Sequence, residues 1–255
     1  MIKTIDQNFN RHSWYIPSLI KGMQVVHTAS LSYTDSGLPC DTFNIIHITN
    51  GLSLTREELT TAVDHYRKQD SRYCIWINSE NRTLQADAIL LQLGLSEANK
   101  EPGMALDLKA YTPVAHALFE HIVLASNEQQ VADFATVVAA NWTPPDPQVL
   151  TYYQKTAPAF LNPDNKVILL VYYHEGQPVS VIELFPTDVT TIGLYSLATL
   201  ETFRGKGIGS AMMHFALGQA KALGYTRAIL QASEDGLGIY QRLGFERVTA
   251  YFEFQ

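Results

Sequence analysis

The stretch "LYSLATLETFRGKGIGSAMMHFALGQAKALGY", residues 194–225, decides how the rest of the chain is read. It passes from a strand-like run through Gly205, Gly207 and Gly209 into a run where Met212, Phe215, Ala216 and Leu223 recur at helical spacing. Gly224 is a natural stop for that helix. Glycines at alternate positions between a strand and a helix offer backbone N–H groups, a helix N-terminus and no side chains in the way. That combination suits a phosphate or pyrophosphate. A Walker A loop does not fit, because Lys206 is neither placed nor followed as Gly-x-x-x-x-Gly-Lys-Ser/Thr requires. The dinucleotide fingerprint Gly-x-Gly-x-x-Gly fails as well, since position 210 is Ser210.

Outward from the loop, the second half of the chain reads as alternating elements. "NEQQVADFATVVAANW" (127–142) sets Val131, Phe134, Ala135, Val138 and Ala139 on one helical face, and the prolines of "WTPPDPQ" end it. A second helix is expected over 148–160, then a hairpin in "KVILLVYYHEGQPVSVIELF" and a third strand over 190–199. After the loop helix come the strand "TRAILQA", a short helix "LGIYQRL" ended by Gly244, and a final alternating strand "FERVTAYFEF".

The first half has a shorter version of the same order. "DTFNIIHIT" is a strand, and "TREELTTAVDHYRKQ" a helix opened by a capping box of Thr55 with Glu58. "SRYCIWI" is a strand, "ADAILLQL" a helix stopped at Gly94, and "GMALDL" a strand. Thr49 and Thr199 end equivalent strands 150 residues apart, and Gly94 and Gly244 end equivalent helices at the same offset. "LLQLGL" then aligns with "YQRLGF". The expectation is a mixed α/β chain of two related lobes, residues 1–112 and 117–255, joined near "KAYTPVAH".

Composition narrows the function. With 255 residues, 46% hydrophobic and 17% charged, the chain can bury a sizeable core. Its net charge of −7 argues against nucleic acid as the main partner. Cys40 and Cys74 lack metal or disulfide-framework spacing, and no His/Asp/Glu cluster has ligand spacing, so no metal is expected. The N-terminal "MIKTIDQNFNRHSWYIP" lacks the apolar core of a signal peptide, and no apolar run approaches a membrane span. A soluble, cytoplasmic protein with no membrane partner is expected.

Arg204-Gly205-Lys206-Gly207-Ile208-Gly209 fits Arg/Gln-x-x-Gly-x-Gly/Ala. With "YSLATL" before it and "LQASEDGLGIYQRLGF" after it, residues 117–255 resemble the GNAT superfamily of acyl-CoA-dependent N-acyltransferases. The resemblance implies the GNAT fold, a mixed twisted sheet flanked by helices, here in two tandem lobes. It implies acetyl-CoA as acyl donor, its pyrophosphate on the amides from Gly205 to Ser210, including Lys206 and Ile208, at the positive end of the following helix. It implies that the backbone of Leu197, Ala198 and Thr199 pairs with the pantetheine arm and that amides there polarise the thioester carbonyl. Tyr240 stands where the family carries a tyrosine that protonates the departing sulfur. Ser233 stands where many members have asparagine against the cofactor arm.

Some positions depart from the family. Gly193 occupies the place where some members carry a glutamate base. Glu183 or Glu201 acting through a water, or a solvated route, remain as alternatives. Neither cysteine lies in the second lobe, so direct attack in a ternary complex is favoured over an acyl-cysteine intermediate. His174 and His214 receive no role. The first lobe has one glycine in "NGLSLTREEL" and Leu90 at the Tyr240 position, and it resembles the degenerate N-terminal lobe of tandem GNAT proteins. It is expected to bind no coenzyme A. Asn44, His47 and Trp76 fit ordinary packing in it. The function expected is acetyl transfer to a small-molecule or peptide amine. A non-catalytic acyl-CoA sensor and an ATP- or NAD-binding enzyme are the rivals.

Overall fold

A computed structural model describes residues 1–255. In chain order the elements are α1 (Ile2–Ser18), β1 (Gln24–His27), β2 (Leu31–Asp35), β3 (Ile45–Ile48), α2 (Arg56–Arg67), β4 (Cys74–Asn78), α3 (Leu84–Gln92) and β5 (Glu97–Asp107). Then follow β6 (Ile122–Leu124), α4 (Glu128–Ala139), α5 (Pro147–Phe160), β7 (Ile168–His174), β8 (Gln177–Pro186) and β9 (Thr191–Thr199). The chain ends with α6 (Ile208–Ala222), β10 (Arg227–Gln231), α7 (Glu234–Arg242) and β11 (Glu246–Phe254). No helix is long and apolar enough to cross a membrane.

Two compact units form. The first contains Met1–Met104, Gln231–Glu234 and Arg247–Gln255; the second contains Ala105–Leu230 and Asp235–Glu246. The division expected near residue 113 follows chain order, whereas the units do not. The reason is the last strand: Tyr251 to Phe254 pair antiparallel with Asn78 to Ile75 of β4, and Gln255 exchanges backbone hydrogen bonds with Ser96. Phe254 joins Leu31, Ile46, Ile75 and Tyr66 in the buried cluster of the first unit.

Within each unit the same ladder repeats, which is the physical content of the 150-residue offset. In the first, β1/β2 and β2/β3 are antiparallel and β3/β4 parallel, with α2 in the crossover. In the second, β7/β8 and β8/β9 are antiparallel and β9/β10 parallel, with α6 in the crossover. Parallel neighbours need such a crossover, and an amphipathic helix supplies it while covering one face of the sheet. Helix α1 and strands β1, β2 and β6 are elements that the sequence patterns did not announce. Asp6, Asn8 and Ser13 are buried on α1 among Ile5, Phe9 and Ile16, so polar residues interrupt its apolar stripe. Asp6 Oδ1 instead takes a 3.0 Å contact with His47 Nε2, and Phe9 packs edge-on against His47 and Trp76.

Candidate active site

The strand, loop and helix of the opening stretch come together at one end of the second unit. Gly205 and Gly207 take left-handed φ values of +74° and +78°, which side chains adopt at a cost. Gly207 is the N-cap of α6 and no side chain caps it. The first amide to reach a carbonyl one turn back is that of Ala211, on Gly207 O. Helix geometry therefore leaves the amides of Ile208, Gly209 and Ser210 without an intrahelical acceptor. A methyl group at Gly205 or Gly207 would meet nothing within 4 Å, so the loop faces open space.

Helix α2 of the first unit is the informative contrast. Its N-terminus is closed by a complete capping box: Thr55 accepts from the Glu58 amide, and Glu58 accepts from the Thr55 amide. Ser30 also donates to Glu58 Oε2 at 2.9 Å. The protein's own carboxylate thus sits where an anion would. The lone loop glycine there, Gly51, packs so closely on the Asn81 backbone that a methyl would fall 1.7 Å from the Asn81 carbonyl oxygen. That glycine serves a close backbone approach and leaves no cradle.

Three segments of the second unit meet at Gly209. A methyl on it would stand 3.6 Å from Thr199 Oγ1, at the end of β9, and 3.6 Å from Ile239 Cδ1, on α7. Thr199 Oγ1 lies 2.8 Å from Ser180 Oγ, which donates to the Ala198 carbonyl at 2.7 Å. Arg204 Nε donates back to the Thr199 carbonyl at 3.0 Å, tying the exposed loop to the strand end. Lys206 Nζ sits 4.7 Å from the Phe203 ring centroid. The loop is thus flanked by two cations and ends on open amides.

Strand β9 changes character halfway along. Its pairing with β10 runs from Thr191↔Arg227 to Gly193↔Ile229 and stops there. On the other side, β8 pairs Glu183 with Tyr195 and Val181 with Ala198, so Ser196 and Leu197 together oppose Ile182. This is a β-bulge, and Ser196 takes φ +54° in it. A bulge leaves one residue out of the ladder, so backbone groups near Leu197 become available on an edge that β10 no longer covers. The sequence carried no signal for this bend, because its left-handed residue is a serine.

Tyr240 is buried on α7, its ring centroid 6.0 Å from that of Phe245. Its ring lies back over the preceding turn, as helical side chains point toward the N-terminus. A methyl at Gly236 would fall 2.7 Å from Cε2 and 3.0 Å from the hydroxyl oxygen. Gly236, absent from the expected site, is what leaves room for the phenol. The Gly-x-x-x-Tyr spacing was its only trace in the sequence.

The remaining candidates are dispersed. Ser233 is exposed in the Gln231–Glu234 segment that clusters with the first unit. Glu201 is exposed in the 3-10 turn Glu201–Phe203. Glu183 is only 3% exposed. Glu183 and Ser180 differ by an odd number of positions on β8, so they lie on opposite faces. Ser180 and Thr199 share the loop's face, while Glu183 interacts with Tyr153 of α5. Burial, then the charge of Glu183, pushes the Tyr153 phenol well above its usual pKa. His214 accepts or donates at 2.8 Å with Tyr111 Oη, and burial followed by the charge of His116 pushes its pKa down.

Comparison with known proteins bears on the fold. Residues 128–245 match the model of the acetyltransferase (GNAT) family. A GCN5-related N-acetyltransferase from Kribbella flavida is similar over 97% of this chain and 94% of its own, at 16% identity and a TM-score of 0.67. An acetyltransferase of the GNAT family from Novosphingobium aromaticivorans is similar over 97% of both chains, at 12% identity and a TM-score of 0.60. A tandem GNAT protein from the clavulanic acid biosynthesis pathway is similar over 92% of this chain and 83% of its own, at 12% identity and a TM-score of 0.59. At these identities the likeness is one of fold, and the fold is the GNAT fold.

Proposed function

We propose, starting from a GNAT fold with its family match at residues 128–245, that the protein moves an acetyl group from acetyl-CoA to a primary amine by direct attack in a ternary complex. The observation that carries this reading is the uncapped α6 N-terminus behind two left-handed glycines facing open space, in contrast to the first unit, whose equivalent helix is already capped. A doubly anionic pyrophosphate suits those amides and the positive end of α6. The amides from Gly205 to Ser210 would hold it, with Arg204 and Lys206 as nearby cations. The open edge of β9 from Leu197 to Thr199 would hold the amides of the pantetheine arm.

When bound, acetyl-CoA supplies an acyl group already activated as a thioester. The chain's part is to polarise the carbonyl with backbone N–H groups at the bulge and to hold a proton at Tyr240 Oη for the leaving sulfur. No side chain is assigned as the base: Glu183 is buried beside Tyr153, and Glu201 is exposed. The first unit binds no coenzyme A in this account, because its helix end is self-capped. A cytoplasmic site of action belongs to the same proposal, as Cys40 and Cys74 are both buried thiols.

The test compares Tyr240→Phe with the wild type. Turnover with amine should fall about 10²-fold, the scale of a lost general acid, while acetyl-CoA affinity stays unchanged. Equal turnover would remove Tyr240 from the mechanism. Binding of acetyl-CoA with no turnover on any amine would favour a sensor.

A further inference from the structure

Serine occupies a position of β9 that the bend ordinarily reserves for glycine. In bulges whose first residue is left-handed, glycine is the usual occupant, since a Cβ there strains the backbone. Ser196 has φ +54° and, with Leu197, opposes the single residue Ile182. Such a conformation persists only where the surroundings hold it.

What holds it comes from α5. The Tyr153 hydroxyl hydrogen-bonds the Ser196 side chain. Tyr153 is 4% exposed, and its own ring is fixed from two sides. Phe160 stacks on it at 5.6 Å and 22°, and Phe134 of α4 meets it at 5.2 Å. Glu183 lies close by, buried and paired across the ladder with Tyr195, the neighbour of Ser196. Burial and that charge keep the phenol protonated, so the contact does not titrate in the physiological range.

We propose that Tyr153 is a positioning residue for the transfer reaction: through the Ser196 side chain it fixes the left-handed bend of β9, and with it the out-of-ladder backbone that faces the acyl group. The inference rests on the transferase reading of the second unit. Tyr153 touches none of the reacting atoms in this account. Its work is to hold a bend that a residue with a Cβ adopts only under strain and that glycine at 196 would adopt without help.

The experiment uses the full chain with Tyr153→Phe, Ser196→Ala, Ser196→Gly and the double variant Tyr153→Phe/Ser196→Gly. Kinetics are read with acetyl-CoA and the best amine, and hydrogen exchange is followed at residues 196–198. Tyr153→Phe and Ser196→Ala each remove the same hydrogen bond and should lower kcat about tenfold, the rate equivalent of one left-handed residue's strain, with KM for acetyl-CoA nearly unchanged. Both should exchange faster at 196–198. Ser196→Gly alone should stay close to wild type, and the double variant should recover to within about threefold of it. Wild-type kcat in Tyr153→Phe, or a double variant as slow as Tyr153→Phe, overturns the proposal. Should the wild type show no amine-dependent turnover, the transferase reading falls by itself. Exchange then decides the clamp alone: faster exchange in Tyr153→Phe supports it and unchanged exchange overturns it.

Discussion

Gly236→Ala separates the chemistry of Tyr240 from its packing. The new Cβ would stand 2.7 Å from Cε2 of the ring and 3.0 Å from both Cζ and the hydroxyl oxygen. Carbon atoms sit comfortably at about 3.5 Å, so the ring must retreat by about 0.8 Å. Displacing a reacting group by about 1 Å can cost about 10²-fold in rate, or about 2.7 kcal/mol of barrier. The same substitution exchanges glycine for alanine inside α7, which favours the helix by about 1 kcal/mol. Activity and stability should therefore move apart: kcat falls by one to two orders of magnitude, roughly, while Tm shifts little, the helix gain offsetting the overpacking of the ring. Thiol release from acetyl-CoA gives kcat, and a thermal melt gives Tm. In Tyr240→Phe the same alanine should cost little further, because the group it displaces is already gone. Wild-type kcat in Gly236→Ala would refute the reasoning, and so would a parallel loss of kcat and Tm.

Other expectations follow from the two units. Gly207→Ala meets no neighbour, so its damage to the free protein is the left-handed strain alone, about 1–2 kcal/mol in a urea titration. Acetyl-CoA affinity should fall further than that strain explains; unchanged affinity would reduce the loop to a tight turn. Glu101 in the first unit has its pKa raised, first by burial and then by the charge of Glu253. A raised carboxyl pKa favours folding at low pH and is a liability once pH passes the folded value, so Glu101→Gln should raise Tm at pH 7. Burial alone would raise Asp35, yet the Gly37 amide at 2.8 Å, His65 at 2.7 Å and Gln69 at 3.3 Å hold it below its usual value of 3.8. The stability it contributes is present above the unfolded pKa and is lost as pH falls through the folded one. Asp35→Asn should flatten that acid limb in denaturant titrations at a series of pH values; an unaltered limb would contradict the assignment.

The legible parts of this fold are those where a residue type has one physical use. Gly205 and Gly207 are needed at positive φ, and Thr55 with Glu58 forms the box that its spacing announces. The 150-residue offset was readable because both halves pair their strands in the same order. What escaped notice depends on partners far away in sequence. Helix α1 buries Asp6, Asn8 and Ser13 among Ile5, Phe9 and Ile16, and the tertiary partner of Asp6, His47 of β3, lies 41 residues away. The strand 246–254 alternates plainly, but alternation does not say that its neighbour is β4. Ser196 has no local mark of a left-handed residue, because the bond that holds it comes from Tyr153 on another helix. Gly236 went unread because its use lies in the Tyr240 ring that packs over it, a contact the sequence alone does not mark.

The central claim is acetyl transfer by the second unit. Its most direct measurement is the release of free thiol from acetyl-CoA by the wild-type protein across a panel of amines, with the acetylated amine identified by mass. The account predicts thiol release that saturates with one class of amine, one acetylated product per thiol, and no release above hydrolysis when amine is omitted. Failure of every amine to raise thiol release above hydrolysis, with acetyl-CoA bound, would contradict the claim.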